Sequence, residues 1–117
     1  MGFNIVVVEN DPSVAKSLKL CFHSVQLSRS GEELRQRVAK NKPDAVILDM
    51  EHSRLSDVKD LRRDFHSLPI VCTHRIADEE LWVAALDAGA SDVCRTDEVQ
   101  TVLSSVLRNS ARKPAVA

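Results

Sequence analysis

Short runs of consecutive apolar residues are the feature of this sequence that most restricts its fold. Ile5–Val8 and Ala45–Leu48 contain no polar residue, and Ile70–Cys72 is a third run of the same kind. A strand with one face in water alternates apolar and polar side chains, whereas a strand that is covered on both faces is apolar throughout. The runs therefore predict a parallel sheet with helices packed on both of its faces.

Segments with helical periodicity separate the apolar runs. Asp11 followed by Pro12 is typical of a helix N-terminus, Ser30 and Glu33 have the spacing of a capping box, and Gly89 is placed to end a fourth helix. Weaker strand patterns at 25–28 and 91–95 bring the total to five strands and five helices. This alternation, with right-handed crossovers, predicts an α/β doubly wound (flavodoxin-like) five-stranded parallel sheet in the order 2-1-3-4-5.

Composition and charge exclude several classes of function. The 16 Lys and Arg residues nearly balance the 17 Asp and Glu residues, and only 3% of residues are aromatic, so direct nucleic-acid binding is not expected. No apolar run approaches the roughly 20 residues of a membrane span, and no signal peptide is evident. Three widely spaced cysteines favour free thiols in a reducing cytoplasm. We expect one cytoplasmic domain at 1–108, with 109–117 a disordered tail or a truncated linker.

Acidic residues follow two of the buried strands directly. Glu9 comes after the first apolar run, and Asp49 ends the third strand with Glu51 two residues further on. In doubly wound sheets, sites lie beyond the carboxyl ends of the strands, where the strand order reverses between strands 1 and 3. Two carboxylates about 4 Å apart repel by roughly 4 kcal/mol at an effective dielectric near 20, so the pair favours a bound proton or cation. Oxygen ligands at a shallow site suit Mg²⁺. The alternative is that Glu9 and Asp11 are solvated loop or capping residues, which fits Asp11 better than Glu9.

The order of the motifs resembles the receiver domain of two-component response regulators. The resemblance runs from residue 5 to about residue 108 and rests on the segments IVVVENDPSVAKSL, RSGEEL, PDAVILDM, PIVCT and AGASDV. It implies that Asp49 accepts a phosphoryl group from a sensor histidine kinase or a phosphotransfer protein. It also implies that Mg²⁺ is held by Glu9, Asn10, Asp49 and the backbone carbonyl of Glu51.

Several positions depart from the pattern of that family. Asn10 is neutral where the family has a second acid, which weakens the expected Mg²⁺ binding. His74 stands where the family has a Ser or Thr that contacts the phosphoryl group, and it is either such a contact or a solvated strand-end histidine. Thr73 comes one residue earlier, which in a strand predicts the opposite face. Thr96 replaces a lysine and fits a helix N-cap, and Val93 replaces an aromatic switch residue.

Two functions remain open on these residues. One is a receiver that is phosphorylated on Asp49 with Mg²⁺, has at most self-phosphorylation and autodephosphorylation as enzymatic activity, and signals through protein–protein contacts. The other is a pseudo-receiver that acts without phosphorylation as a protein-binding or dimerisation module. A flavodoxin-like nucleotide binder is disfavoured, because acids after the first strand repel phosphate and the glycines form no phosphate-binding motif.

The fourth helix carries a second apolar stripe that bears on partner binding. Trp82 and Ala85 are predicted to face the sheet, which leaves another apolar set off the core face, formed by Leu81, Ala84 and Ala88. This set is either scattered surface residues or a partner surface. The family resemblance implies a homodimer through helix 4, strand 5 and helix 5.

Overall fold

The structure, a computed structural model, describes residues 3–9, 11–76 and 78–110. Strands and helices alternate along the whole of this part of the chain. The elements are β1 (Asn4–Val8), α1 (Pro12–Cys21), β2 (Ser24–Ser28), α2 (Gly31–Asn41), β3 (Ala45–Asp49), α3 (Leu55–Asp64), β4 (Ile70–His74), α4 (Glu79–Ala88), β5 (Asp92–Arg95) and α5 (Val99–Ser110).

All five strands form one parallel sheet in the order β2-β1-β3-β4-β5. The predicted fold and strand order are confirmed. β1 pairs with both β2 and β3, so the strand order reverses beside it and opens a crevice between the carboxyl ends of β1 and β3. The register aligns Val8 with Leu48, and the first polar residues beyond them therefore lie at the same edge.

The pleat of the strands divides the core into two layers. One set of strand residues packs with α2, α3 and α4, and the alternate set packs with α1 and α5. In β3, for example, Val46 and Leu48 belong to the first layer and Ala45 and Ile47 to the second. Each fully buried Val, Leu or Ile side chain contributes about 1.5–3 kcal/mol of transfer free energy, which is why unbroken apolar strands require both layers.

Helix ends at both sides of the sheet follow the predicted signals. The Asp11 carboxylate accepts the backbone N–H of Ser13 at 2.9 Å, with Pro12 as the first residue of α1. Gly89 ends α4 with φ at 118°, in the left-handed region that favours glycine. The Asp11 cap matters for function, because it holds the start of α1 next to the end of β1.

The exposed face of α4 differs from the prediction. Trp82 is 46% exposed and Val83 is also exposed, whereas Ala88 is buried beside Ala85 in the core. Leu81 is half-buried, as is Ala84. Placing Trp82 against the sheet and Ala88 on a partner surface was therefore wrong. The small side chains at 85 and 88 allow α4 to pack closely on β5 and α3, where an indole ring would not fit.

The end of the described chain also refines the prediction. Asn109 and Ser110 still belong to α5, and the Asn109 amide donates to the Ser105 carbonyl at 2.8 Å. Residues 111–117, the rest of the expected tail, lie outside the described residues. Among the helices that the structure describes, none combines the length and apolarity needed to cross a bilayer.

Candidate functional site

A cleft of about 360 Å³ opens at the carboxyl edge of the sheet. Its walls come from the residues that follow β1, β3, β4 and β5, together with the start of α1. The lining residues are Glu9, Asp11, Pro12, Asp49, Glu51, His52, Arg75 and Thr96. Glu9 and Asp49 therefore share one cleft, which is the convergence that the strand order requires.

Asp49 lies at the floor of the cleft and is only 2% exposed. As the last residue of β3 it follows the pleat of Ala45 and Ile47, which directs it toward the layer of α1 and α5. Its Oδ1 accepts the backbone N–H of Glu51 at 3.0 Å, and its Oδ2 lies 2.6 Å from the Nδ1 of His52. Both carboxylate oxygens are thus oriented by the turn that follows the strand.

Glu9 is the second buried acid of the cleft. Its Oε2 accepts the backbone N–H of Asp11 at 3.1 Å, so the entry to α1 orients this carboxylate. The hydroxyl of Ser13 donates to the Asp11 carboxylate and holds the pKa of that group below its usual value. Asn10, the neutral residue at the position of the family's second acid, lies outside the described residues.

Glu51 lines the cleft and has an ion-paired side chain there, whereas the family resemblance implied only a role for its backbone carbonyl. Its carboxylate pairs with the guanidinium of Arg75 at 3.5 Å, across the mouth of the cleft. One ligand atom from each of Asp49, Glu51 and His52 lies within 4.8 Å of the other two. Neither His52 nor Arg75 was identified from the sequence as a site residue.

The tight turn after β3 explains the position of His52. The backbone N–H of His52 donates to the Asp49 carbonyl at 3.0 Å, which closes a turn and brings the imidazole back over the strand end. The sequence does contain a signal for this contact: His52 comes three residues after an aspartate at a strand end, and residues at this separation in a turn approach each other. Arg75 had no comparable signal, because it is an exposed residue of the loop between β4 and α4.

At the end of β4, Thr73 lies on the face opposite to the one predicted, whereas His74 corresponds to the second of its two alternatives, a strand-end histidine outside the cleft. The register pairs Asp49 with Thr73, so Thr73 shares the face of Asp49 without a bulge. Its hydroxyl donates to the Leu48 carbonyl at a long 3.5 Å. The Nδ1 of His74 accepts the backbone N–H of Ile76 at 2.9 Å, within its own loop. Counting from Pro69 assigned His74 to the strand end but could not supply the register between β3 and β4.

Comparison with known proteins gives a consistent result. No protein-family model matches the sequence. Over 100 residues the chain is 42% identical to the response regulator MprA of Mycobacterium sp. (strain KMS), a match that covers 79% of this chain and 43% of that protein. MprA of Mycobacterium tuberculosis (strain ATCC 25177 / H37Ra) is 40% identical over the same shares. The chain spans less than half the length of these curated relatives.

Solved structures agree in fold over nearly the full length. A protein from Chloroflexus aurantiacus J-10-fl, solved as a candidate response regulator, superposes with a TM-score of 0.84 at 29% identity, covering 96% of this chain and 100% of that one. The receiver domain of a Clostridium thermocellum response regulator superposes at 0.81 with 17% identity, covering 95% and 96%. The chain is a receiver domain of the response-regulator family. The resemblance read from its motifs is thereby confirmed.

Thr96 is a buried polar residue of the cleft in this receiver domain. It lines the cleft at only 7% exposure, in the position that the resemblance assigns to a lysine. Among the described residues its buried hydroxyl has no hydrogen-bond partner, while its backbone N–H donates to the His74 carbonyl at 3.1 Å. Because α5 begins at Val99, Thr96 is not the residue that caps this helix. Val93 is buried in the layer of α2, α3 and α4.

The charge of the cleft is strongly negative. Arg75 is the guanidinium that lines it, and the carboxylates that line it are Glu9, Asp11, Asp49 and Glu51. Glu9 and Asp49 are buried, and carboxylates held together in this way favour a cation, because their mutual repulsion falls when a positive charge is placed between them. The donor atoms are mainly oxygens, and they include a hydroxyl that finds no partner among the described residues. This donor set fits a divalent metal ion.

Proposed function

We propose that this receiver domain accepts a phosphoryl group on Asp49 and signals through protein–protein contacts in the cytoplasm. The donor would be a phosphohistidine on a sensor histidine kinase or a phosphotransfer protein. The observation that carries the proposal is the burial of Asp49 at the floor of an acidic cleft, oriented there by Glu51 and flanked by Glu9. Beyond self-phosphorylation and autodephosphorylation, no enzymatic activity is proposed.

The proposed transfer makes one bond and breaks one. An Oδ atom of Asp49 attacks the phosphorus, the bond between phosphorus and the donor histidine nitrogen breaks, and that nitrogen keeps the electron pair and takes up a proton. The product is an acyl phosphate on Asp49. When bound, Mg²⁺ would neutralise charge on the transferring group, held by Glu9, Asp49, the backbone carbonyl of Glu51 and Asn10. For Oδ2 to react, the His52 imidazole has to leave its 2.6 Å contact.

Arg75 is the residue we propose in place of the missing lysine. Its guanidinium borders the cleft, pairs with Glu51 at 3.5 Å and is 70% exposed, so it is free to turn toward a new anion. Arginine binds phosphoryl oxygens in a two-pronged geometry that a single ammonium does not offer. If Arg75 moved from Glu51 to the phosphoryl group, its positive charge would pair with the negative charge of the acyl phosphate.

The experiment compares the wild type with Asp49→Asn in the presence of Mg²⁺ and acetyl phosphate. Mass spectrometry is expected to find one added phosphoryl group in the wild type alone, and beryllofluoride is expected to shift NMR signals around residue 49 in the wild type alone. Asp87→Asn, an exposed carboxylate on α4 away from the cleft, is the matched control and is expected to behave as wild type. Phosphorylation that persists in Asp49→Asn would overturn the assignment of the acceptor.

A pseudo-receiver that binds partners without phosphorylation is the second candidate. The observation that favours it is the contact between His52 and Asp49, since the imidazole covers an oxygen that must otherwise react. In this case partners or a second copy of the chain would bind at α4, β5 and α5, where Trp82 and Val83 are exposed. The same experiment separates the two functions, because absence of any response in the wild type would leave the pseudo-receiver.

A further inference from the structure

The cleft contains a nitrogen donor that a magnesium site does not require. His52 is half exposed, and its Nδ1 lies with oxygens of Asp49 and Glu51 in a group whose members are all within 4.8 Å. We propose that His52 makes this cleft a binding site for a late first-row ion such as Co²⁺ or Zn²⁺, coordinated by its imidazole together with the carboxylates of Asp49 and Glu51. The inference deepens the proposed function, since it concerns the metal class of the same cleft.

The spacing of the donor atoms suits a shared ion. Two ligands that are each about 2.1 Å from a metal lie about 3.0 Å apart at adjacent octahedral positions and about 3.4 Å apart at tetrahedral positions. His52 Nδ1 and Asp49 Oδ2 are 2.6 Å apart, so a small rotation of the imidazole opens the required separation. His52 is 44% exposed, and this rotation therefore disturbs no packed core residue.

Thr96 provides an independent indication that the cleft takes a ligand. Its hydroxyl is buried and lines the same cleft, and the described residues offer it no hydrogen-bond partner. A buried hydroxyl in this state is unfavourable, so native proteins retain one mainly where something else satisfies it. In the cleft, a metal-bound water could donate to this hydroxyl, and a metal-bound anion could accept from it.

The nitrogen donor of His52 increases the binding affinity of some metal ions and not of others. Mg²⁺ takes oxygen donors and keeps several of its waters, whereas imidazole nitrogen suits Zn²⁺, Co²⁺ and Ni²⁺. Most sites in proteins bind the later ions more tightly than Mg²⁺ in any case. The geometry therefore predicts that His52 increases the affinity of the cleft for the late first-row ions and leaves its affinity for Mg²⁺ unchanged.

Metal titrations of the wild type, His52→Ala and His66→Ala test this site. His66 is an exposed histidine outside the cleft and serves as the matched control. His52→Ala is expected to lose at least about tenfold in affinity for Co²⁺ and Zn²⁺ by calorimetry, with the Mg²⁺ affinity changed by less than about twofold. The visible absorption of bound Co²⁺ is expected to change in His52→Ala and to stay as wild type in His66→Ala.

The outcomes separate this proposal from the proposed function. Equal Co²⁺ affinity in the wild type and His52→Ala would overturn the histidine site, even if acetyl phosphate still labels Asp49 with Mg²⁺. An equal loss for Mg²⁺ and Co²⁺ would overturn it too, because a general loss of structure or charge balance would then explain the change. A loss confined to the late ions supports the site, even if Asp49 accepts no phosphoryl group.

Discussion

Replacing Thr96 with valine is expected to stabilise the free protein. The side chain is 7% exposed, and within the described part of the chain its hydroxyl has no hydrogen-bond partner. Burying a hydroxyl without a partner costs about 1–3 kcal/mol on mutational scales, and valine has nearly the same shape without that group. Because neighbouring groups relax in part, we expect the free energy of unfolding to rise by about 1 kcal/mol.

Urea unfolding measures this effect directly. With a slope of about 1–3 kcal/mol/M for a small domain, a gain of about 1 kcal/mol moves the midpoint upward by roughly 0.3–1 M. Thr73→Val is the matched control, since Thr73 is also buried but its hydroxyl donates to Leu48 at 3.5 Å. The control is expected to be neutral or slightly destabilised. If Thr96→Val destabilises the protein as Thr73→Val does, the hydroxyl of Thr96 has a partner and the reasoning fails.

A ligand bound in the cleft should stabilise the wild type more than Thr96→Val. A ligand that binds only the folded state stabilises it by an amount that grows with its affinity. If the Thr96 hydroxyl contacts the bound group, Mg²⁺ with beryllofluoride will raise the unfolding midpoint of the wild type by more than that of Thr96→Val. Equal increments in both proteins would mean that the hydroxyl does not contact that group.

Three further perturbations test other parts of the structure. Gly89→Ala is expected to lower the free energy of unfolding by about 2 kcal/mol or more, because φ is 118° and an added Cβ would lie 2.7 Å from the Arg62 Cβ; urea unfolding measures it, and an unchanged midpoint would contradict it. Burial raises the pKa of the Cys72 thiol from 9.0 to about 12. Between these two values the unfolded chain loses the thiol proton and the folded protein keeps it, so the stability that the buried neutral thiol contributes is complete below pH 9 and declines as the pH rises toward 12. Cys72→Ala should therefore lose stability less steeply over that range, and an unaltered slope would argue against the shift. Arg75→Ala is expected to weaken beryllofluoride binding by NMR titration, with Arg75→Lys partly restoring it; equal binding by all three proteins would remove Arg75 from the site.

The fold could be predicted from the sequence because several independent signals agree. The apolar runs Ile5–Val8 and Ala45–Leu48 predicted strands with helices packed on each face of the sheet, and the structure buries both runs between two such layers. The capping signals at Asp11 and Gly89 placed two helix ends correctly. The face of α4 could not be predicted in this way, since the segment LWVAALDA is apolar at most positions and has no single stripe. The size of the side chains decided that Ala88 is buried and Trp82 is not.

Part of the candidate site could be predicted from the sequence, and part of it could not. Glu9 and Asp49 were found because they directly follow buried strands, and the strand order alone brings them to one edge. The orientations of Thr73 and His74 depended on a register between β3 and β4 that no local pattern encodes, and a shift by one residue exchanges the two faces. Sequence counting was therefore reliable for which strand ends meet and unreliable for which side chain points inward.

The nitrogen-bearing side chains of the cleft come from loops, whereas its buried acids are held at strand ends. Glu9 and Asp49 are constrained by the sheet, but His52 and Arg75 are exposed and belong to the segments after β3 and β4. A lysine at the end of β5 would hold its charge on the sheet itself, and Thr96 occupies that position instead. Loop residues can change with little cost to the core. We therefore expect substitutions at Arg75 to alter anion affinity while the unfolding midpoint stays close to that of the wild type, a combination that substitutions of the strand-end acids would not give, and that substitutions of His52 would not give either, because they remove a hydrogen-bond partner from the buried Asp49 carboxylate.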